Sequence, residues 1–356
     1  MKFTRLPLKR ARYSSSVICV FALIVYGALL HRAVGAEPEC SIDAAAALRK
    51  LGASVGFGGS DLICSVYFHP ERDYDVIRRL SAVSDDDLVL LQELPRLDEL
   101  NLYYTHITDA GLRHLTSIKS LRKLRPPHKL TDDGMVHIAA LSGLEELNLR
   151  GLDVTDRGLR HLEMLSGLKK LDLSSTEITD EGLEHLSNLT QLEILKLNNR
   201  VTASGFVHLR HLTQLEELGI YHITKTIRDD DLAHLAELSR LQVLELRDAK
   251  ISDNGLMHLR KMVGLRVLMI KNSQISGEGL RHLNDLSNLE VLVLFCCPVT
   301  NEGLENMPAL PNLKYMDLIC TSNVKEGVEK LQRLLPNCRV SLVSENKLSE
   351  HELCDR

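Results

Sequence analysis

Eight histidines stand at one recurring position of the chain, 23 to 26 residues apart. They are His114, His137, His161, His185, His208, His234, His258 and His282. A zinc site needs ligand nitrogens about 2 Å from the metal, whereas equivalent residues on stacked helices lie about 8 to 10 Å apart. Each histidine would therefore stand alone. We predict no metal site and a structural role, in which each ring hydrogen-bonds a neighbouring loop between successive repeats.

Four aspartates recur in a similar way, each directly after a threonine or serine: Asp109, Asp156, Asp180 and Asp253. A hydroxyl followed by a carboxylate is typical of a helix start, so we predict helix capping rather than catalysis or calcium binding. The sequence holds no GxSxG, HExxH, phosphate-binding P-loop or EF-hand motif. We therefore expect no catalytic residue, no enzyme activity and no cofactor.

Cysteines are the remaining reactive residues, and apart from Cys19 they lie near the two ends of the chain. Cys296 and Cys320 occupy the same position on successive repeats, where alpha carbons about 4.8 Å apart would allow a disulfide. Cys40 and Cys64 form a second candidate pair. Cys297 falls at a turn position that threonine or serine fills elsewhere, so we predict a buried thiol.

The element that positions all these residues is a repeat of the pattern LxxLxL. It begins at Leu97, Leu144, Leu168, Leu192, Leu241, Leu265 and Leu289, with variant copies at Leu121, Leu215 and Leu313. A second signature follows it, written ITDAGLRHL at residues 107–115 and ITDEGLEHL at residues 178–186. In each unit alternate leucines of a strand point inward, a turn follows, and further leucines recur at helical spacing. Stacking of the units buries these leucines.

The chain resembles leucine-rich-repeat proteins of the TDxGL type, similar to exported bacterial proteins and to the cysteine-containing repeats of F-box substrate receptors. The resemblance covers residues 97–342 and implies an α/β fold: a right-handed solenoid with a concave parallel β-sheet and convex short helices. We predict ten repeats over residues 97–336. Residues 37–96 form an N-terminal cap and irregular first repeat, with a helix at 43–51 and a strand at 62–68. Residues 337–356 form a closing strand and a polar tail.

The first 36 residues have the layout of an export signal. They carry six basic and no acidic side chains, with an apolar run at residues 17–30. They indicate either a signal peptide cleaved after Ala36 or an uncleaved signal anchor. Both place the folded part outside the cytoplasm, in a secreted, periplasmic or cell-surface form. Cleavage changes the formal charge from −5 to −11, which argues against a nucleic-acid partner.

The outward positions of the strands predict where function lies. In the early repeats these positions carry mixed charges, such as Glu99, Lys123 and Arg125. In the later repeats they turn apolar, at Val243, Val267, Met269, Val291, Val293, Phe295, Tyr315 and Ile319. Exposed apolar patches of this kind mark interaction sites. We therefore predict a protein or peptide partner there, unless the C-terminal tail or a more twisted final sheet covers the residues.

Two alternatives and one irregularity stay open. An envelope protein could use the same solenoid for self-assembly, and the likeness to F-box receptors suggests a ubiquitin-ligase subunit, against which the export signal and the lack of an F-box argue. In the second unit Pro126 and Pro127 stand where an inward leucine and its neighbour belong. Proline lacks the amide donor of an interior strand, so we expect the sheet to break or bend there.

Overall fold

A computed structural model describes residues 40–58, 62–68, 83–94, 96–197, 200–221, 227–321 and 323–343. The predicted leader, residues 1–36, and the polar tail after residue 343 lie outside these ranges. Within them the chain forms one sheet of 13 strands whose spatial order follows the sequence. Strands β1 and β2 pair as an antiparallel hairpin. Every later pair is parallel, in register from one repeat to the next.

From β3 onwards the strands become longer towards the C-terminal end of the solenoid. They are β1 Ser54–Phe57, β2 Ile63–Tyr67, β3 Glu99–Asn101, β4 Lys123–Arg125, β5 Glu146–Asn148, β6 Lys170–Asp172, β7 Ile194–Leu197, β8 Glu217–Ile220, β9 Val243–Arg247, β10 Val267–Lys271, β11 Val291–Phe295, β12 Tyr315–Ile319 and β13 Arg339–Val343. Leucines of LxxLxL fill the interior, as predicted: Leu97, Leu100 and Leu102 are each almost fully buried.

Short helices return the chain from each strand to the next. The α-helices are α1 Cys40–Lys50, α2 Met135–Ala139, α3 Asp156–Leu159, α4 Asp180–Glu184, α5 Asn301–Glu305 and α6 Lys325–Leu334. The 3-10 helices are Asp85–Glu93, Gly111–Leu115, Asp132–Gly134, Arg160–Met164, Ala203–His211, Asp229–Leu235, Asp253–Lys261 and Glu278–Asp285. Helix α1 and strand β2 confirm the two elements expected in the N-terminal cap. The closing strand lies at Arg339–Val343, slightly later than the sequence suggested.

The residues of the TDxGL signature connect each repeat to the next, which the sequence did not reveal. The threonines cap helices as predicted, since Thr155 Oγ1 accepts from the amide of Arg157. The aspartates, however, bind the following repeat rather than only their own helix. Asp156 accepts hydrogen bonds from the amide and hydroxyl of Thr179, at 2.8 and 2.6 Å. The same two bonds join Asp109 to Thr131. We call each such set of contacts a rung.

Glycine in the signature leaves room for the aspartate of the preceding repeat. A Cβ atom on Gly182 would lie 2.2 Å from Asp156 Oδ1, and one on Gly134 would lie 2.2 Å from Asp109 Oδ1. Both distances are impossible for real atoms. The aspartate, the threonine and the glycine therefore form one unit that spans two repeats.

Within the described repeats two positions of the rung aspartate carry a residue without a side-chain acceptor. At one of them, Gly277, the amide of Thr300 donates to Ser276 O at 2.9 Å instead. We call the other the missing rung. Ala203 stands where the aspartate belongs, and in the next repeat Arg228 replaces the threonine and Asp231 replaces the glycine. The Asp231 carboxylate instead accepts from the backbone amide of Arg228 at 2.6 Å, within its own repeat. Ser84 and Asp87 make the same local contact at the start of the first unit. The small side chain of Ala203 in the preceding repeat therefore leaves room for aspartate at position 231.

Candidate functional site

The N-terminal half of the concave face is a set of paired charges. Register places Glu99, Lys123, Glu146 and Lys170 side by side on successive strands. The ammonium groups of Lys123 and Lys170 both lie 3.1 Å from Glu146 Oε1. Partial burial acts to raise the pKa of Glu146, but hydrogen bonds from the two lysines prevail and lower it. These charges are satisfied within the sheet.

A cluster of Tyr221, Glu245 and Arg247 separates the charged half of the concave face from its apolar half. The Tyr221 hydroxyl donates to Glu245 Oε2 at 2.9 Å, and Arg247 Nε donates to Glu245 Oε1 at 2.5 Å. The Arg247 guanidinium also lies 4.9 Å from the centre of the Tyr221 ring. Burial and the charge of Glu245 raise the pKa of Tyr221. Gly219 leaves room for the Tyr221 side chain, because a Cβ atom on residue 219 would lie 2.6 Å from the Tyr221 hydroxyl oxygen.

Beyond this cluster the concave face becomes apolar. Register aligns Val243, Val267, Val291 and Tyr315 in one row across β9 to β12. Met269 and Val293 form a second row beside it. Tyr315 is 50% exposed and the other five are half-buried. We call these six residues the apolar strip.

Phe295 does not belong to this exposed surface, contrary to the sequence expectation. Its side chain is only 5% exposed. The Lys271 ammonium lies 4.5 Å from the centre of its ring, and Phe295 is the last residue of β11. Ile319, at the equivalent place in β12, is half-buried. Because its burial is like that of five residues of the apolar strip, Ile319 stays a predicted partner contact beside the strip.

The histidines at the recurring position differ in their hydrogen-bond partners. His185 Nδ1 lies 2.6 Å from Glu163 Oε1 of the preceding repeat, which is the kind of inter-repeat contact we expected. His258 Nε2 lies 3.6 Å from Asp230 Oδ1. His114 Nε2 is buried and has no hydrogen-bond partner within the described ranges. The described residues contain no group of three or more potential metal ligands.

The cysteines differ in burial and pairing. Cys297 is buried, as predicted, and its burial raises the pKa of its thiol to about 11. Cys64 and Cys320 are free thiols in the structure, so neither predicted pairing is formed there. The side chain of Cys40 lies outside the described residues. Cys296 and Cys320 both have left-handed backbone angles, φ 48° and 57°, at the turn after their strands.

A shallow depression of about 330 Å³ lies on the charged half of the concave face. It spans β2 to β8, and Asn101, Arg125 and Asn148 are among its lining residues. The sequence indicated mixed charges here but not the depression, because the depression forms only when the solenoid places seven strands side by side. In the part of the chain that the structure describes, no helix is both long and apolar enough to span a membrane.

Comparison with known proteins supports the repeat architecture. A family model described as leucine-rich repeat matches residues 168–187 and 285–307. A search of curated proteins finds no match. The finer likeness to TDxGL proteins and F-box receptors stays a prediction.

Solved structures include two similar internalins of Listeria monocytogenes. The internalin inlF superposes with a TM-score of 0.55 and 25% sequence identity, over 71% of this chain and 69% of that chain. Internalin C2 has 23% identity and a TM-score of 0.36, over 66% of this chain and 84% of that one. The matched repeats and the fold shared with inlF show that the chain is a leucine-rich-repeat solenoid.

Proposed function

We propose that the protein is a non-enzymatic recognition scaffold, exported from the cytoplasm, that binds a protein or peptide on the apolar strip. The observation that carries the proposal is the contrast between the two halves of one concave sheet. In the first half, the row of Lys123, Glu146 and Lys170 neutralises its charges internally, through contacts such as Lys123 to Glu146. The second half presents an aliphatic and aromatic surface at the same register positions. Such contiguous apolar surface on a solenoid is typical of a binding face.

A matched pair of substitutions tests this proposal. Val267→Asp places a charge at the centre of the apolar strip, whereas Ile194→Asp places the same charge in the same row of β7, outside the strip. Partners captured by the wild-type chain from a surface-protein extract, and identified by mass spectrometry, should be lost with Val267→Asp and kept with Ile194→Asp. Circular dichroism should show both variants folded. Retention of every partner by a folded Val267→Asp variant would contradict the proposal.

Self-assembly is the second candidate function, and one observation favours it. Strand β13 pairs with β12 on one side, and no described strand pairs with its other edge. Leu342 on this edge strand is 43% exposed, and an open edge can pair with another chain. Sedimentation of the purified chain distinguishes the two functions. A recognition scaffold should keep a constant mass with concentration, whereas an envelope structural protein should form progressively larger species.

Export is the remaining part of the proposal. It rests on the basic and apolar leader described above. Determining the N-terminal residue of the protein from its native host tests cleavage after Ala36. A start at Glu37 supports a secreted form, and an intact leader in the membrane fraction supports the signal anchor. Full-length protein in the cytosol would contradict export and would reopen the F-box alternative.

A further inference from the structure

The two prolines of the second repeat change what the preceding residue can do. In the repeats of β3, β5 and β6 an asparagine or aspartate at this position holds the turn. Asn101 Oδ1 accepts from the amide of Tyr103 at 3.1 Å, and Asn148 Oδ1 accepts from the amide of Arg150 at 3.0 Å. In the second repeat the residue two positions on is Pro127, which has no amide hydrogen to donate. A side chain at position 125 therefore has no turn amide to accept from, and this position carries arginine.

The prolines do not break the sheet before this arginine. Strand β4 pairs with β3 as far as Asn101 and Arg125, and with β5 as far as Leu124 and Leu147. Pro126 takes the buried inward place of a leucine. The expected disturbance therefore begins at Arg125 on the β5 side and after Arg125 on the β3 side. His128 reconnects the turn by donating its amide hydrogen to Tyr103 O at 3.2 Å.

The Arg125 side chain is held in place but carries an unmatched charge. Its guanidinium lies 4.0 Å from the centre of the Tyr103 ring. Its Nε is buried without a hydrogen-bond partner, and no carboxylate of the described residues forms an ion pair with it. A buried donor of a charged group is costly unless something accepts its hydrogen bond.

A second arginine on the concave face shows which chemical group binds a side chain in this setting. Arg247 also lies over a tyrosine ring, that of Tyr221, and there the chain itself supplies a carboxylate, Glu245, at 2.5 Å. At the register of Arg125 the adjacent strands carry amides instead, Asn101 and Asn148. Carboxylates also line the depression, among them Glu146, which Lys123 and Lys170 neutralise. Asn101 and Asn148 use their Oδ1 atoms in turns, which leaves their Nδ2 groups as donors in the lining of the depression.

From this geometry we propose that Arg125, flanked by Asn101 and Asn148, is a binding site for a carboxylate group of a ligand. A guanidinium matches a carboxylate with two parallel hydrogen bonds, and the amides add neutral donors beside it. The depression of about 330 Å³ has room for a side chain of a peptide or for a small organic acid. The site is distinct from the apolar strip, and its existence does not depend on that strip binding a partner.

Nuclear magnetic resonance of the arginine side chains tests the site in the full chain. The probes are acetate, for a free acid, and the capped peptide Gly-Glu-Gly, for a side-chain carboxylate, with capped Gly-Gln-Gly and chloride as matched controls. We expect the Arg125 Nε–Hε signal, assigned by its loss in Arg125→Lys, to shift saturably with acetate or the glutamate peptide. The tighter of these two identifies the source of the carboxylate. The Arg247 signal should not move.

A near-isosteric substitution provides the decisive variant. Asn148→Asp keeps the Oδ1 acceptor of the turn, as Asp172 does in the next repeat, but supplies a carboxylate beside Arg125. It should weaken binding of the probes about tenfold or more, since a charge-assisted hydrogen bond to the ligand is lost. Val267→Asp, in the apolar strip, should leave binding unchanged. An Arg125 signal that responds equally to glutamate and glutamine peptides and to acetate and chloride would overturn the proposal, as would undiminished binding by a folded Asn148→Asp variant.

Discussion

At the scale of single residues, the glycine of the signature is explained by the neighbouring repeat. Asp156 is held by the amide and hydroxyl of Thr179, so it cannot move away from a new methyl group without losing both bonds. Gly182→Ala should therefore lower the free energy of unfolding by about 1 to 3 kcal/mol. Gly167→Ala is the control, because a Cβ there meets nothing within 4 Å, and it should change stability by less than about 0.5 kcal/mol. Urea unfolding measures both, and equal losses would contradict the explanation.

The rung aspartates also predict how stability depends on pH. Burial acts to raise the pKa of Asp253, but hydrogen bonds from the Ser276 hydroxyl and from the amides of Gly279, Ser276 and Gly277 prevail and lower it. The pKa of Asp132 is lowered in the same way, by Thr155 and Arg157. Because the folded pKa lies below the unfolded value of about 3.9, this stabilisation is present above that value and is lost as the pH falls below it.

Asp253→Asn tests this pH dependence, because an asparagine has no carboxylate to protonate. Asn301 shows that an asparagine can accept from the next repeat, since its Oδ1 accepts from the amide of Gly327 at 2.8 Å. The variant should be less stable than the wild type at pH 7 and should lose less stability between pH 5 and pH 2. Urea midpoints across this range measure the difference, and parallel pH profiles would show that Asp253 does not contribute.

At the scale of the elements, the missing rung can be rebuilt. Ala203→Asp, Arg228→Thr and Asp231→Gly together recreate the triad found at Asp156, Thr179 and Gly182. We expect the triple variant to gain about 1 kcal/mol, the net value of a few hydrogen bonds. Ala203→Asp alone should destabilise the chain, because its carboxylate would meet that of Asp231. A thermal-unfolding comparison in which the single variant is as stable as the triple one would contradict this account.

The rungs also show which contacts could be predicted from the sequence and which could not. The leucine spacing was sufficient to predict the sheet, the helices and the buried interior, because those contacts repeat with the period of the chain. The partner of Asp156 lies 23 residues away on the next repeat, so the local pattern suggested only capping. Phe295 was placed on the surface because alternation ignores the neighbouring Lys271, which lies over its ring. The sequence placed Arg125 among the mixed charges of the early repeats, and only the structure shows its stacking on Tyr103.

At the scale of the whole molecule, a solenoid is approximately a sum of repeats and of interfaces between neighbours. The interface between the helices Ala203–His211 and Asp229–Leu235 lacks its rung, although strands β8 and β9 remain paired across it. It is therefore a weak point at which the molecule can divide. The division falls close to the boundary between the charged and apolar halves of the concave face, so each half would belong to a separate cooperative unit.

This division predicts two unfolding transitions in one chain. The sequence contains no tryptophan, so single tryptophans report on each unit without background. Tyr104→Trp reports on the N-terminal unit and Tyr315→Trp on the C-terminal unit, since both tyrosines are well exposed and tolerate a larger ring. The urea midpoints of the two fluorescence signals should differ in the wild-type background and converge when the rung is rebuilt by the triple substitution. Coincident midpoints in the wild-type background would mean that the continuous leucine interior and sheet couple the two halves despite the missing rung.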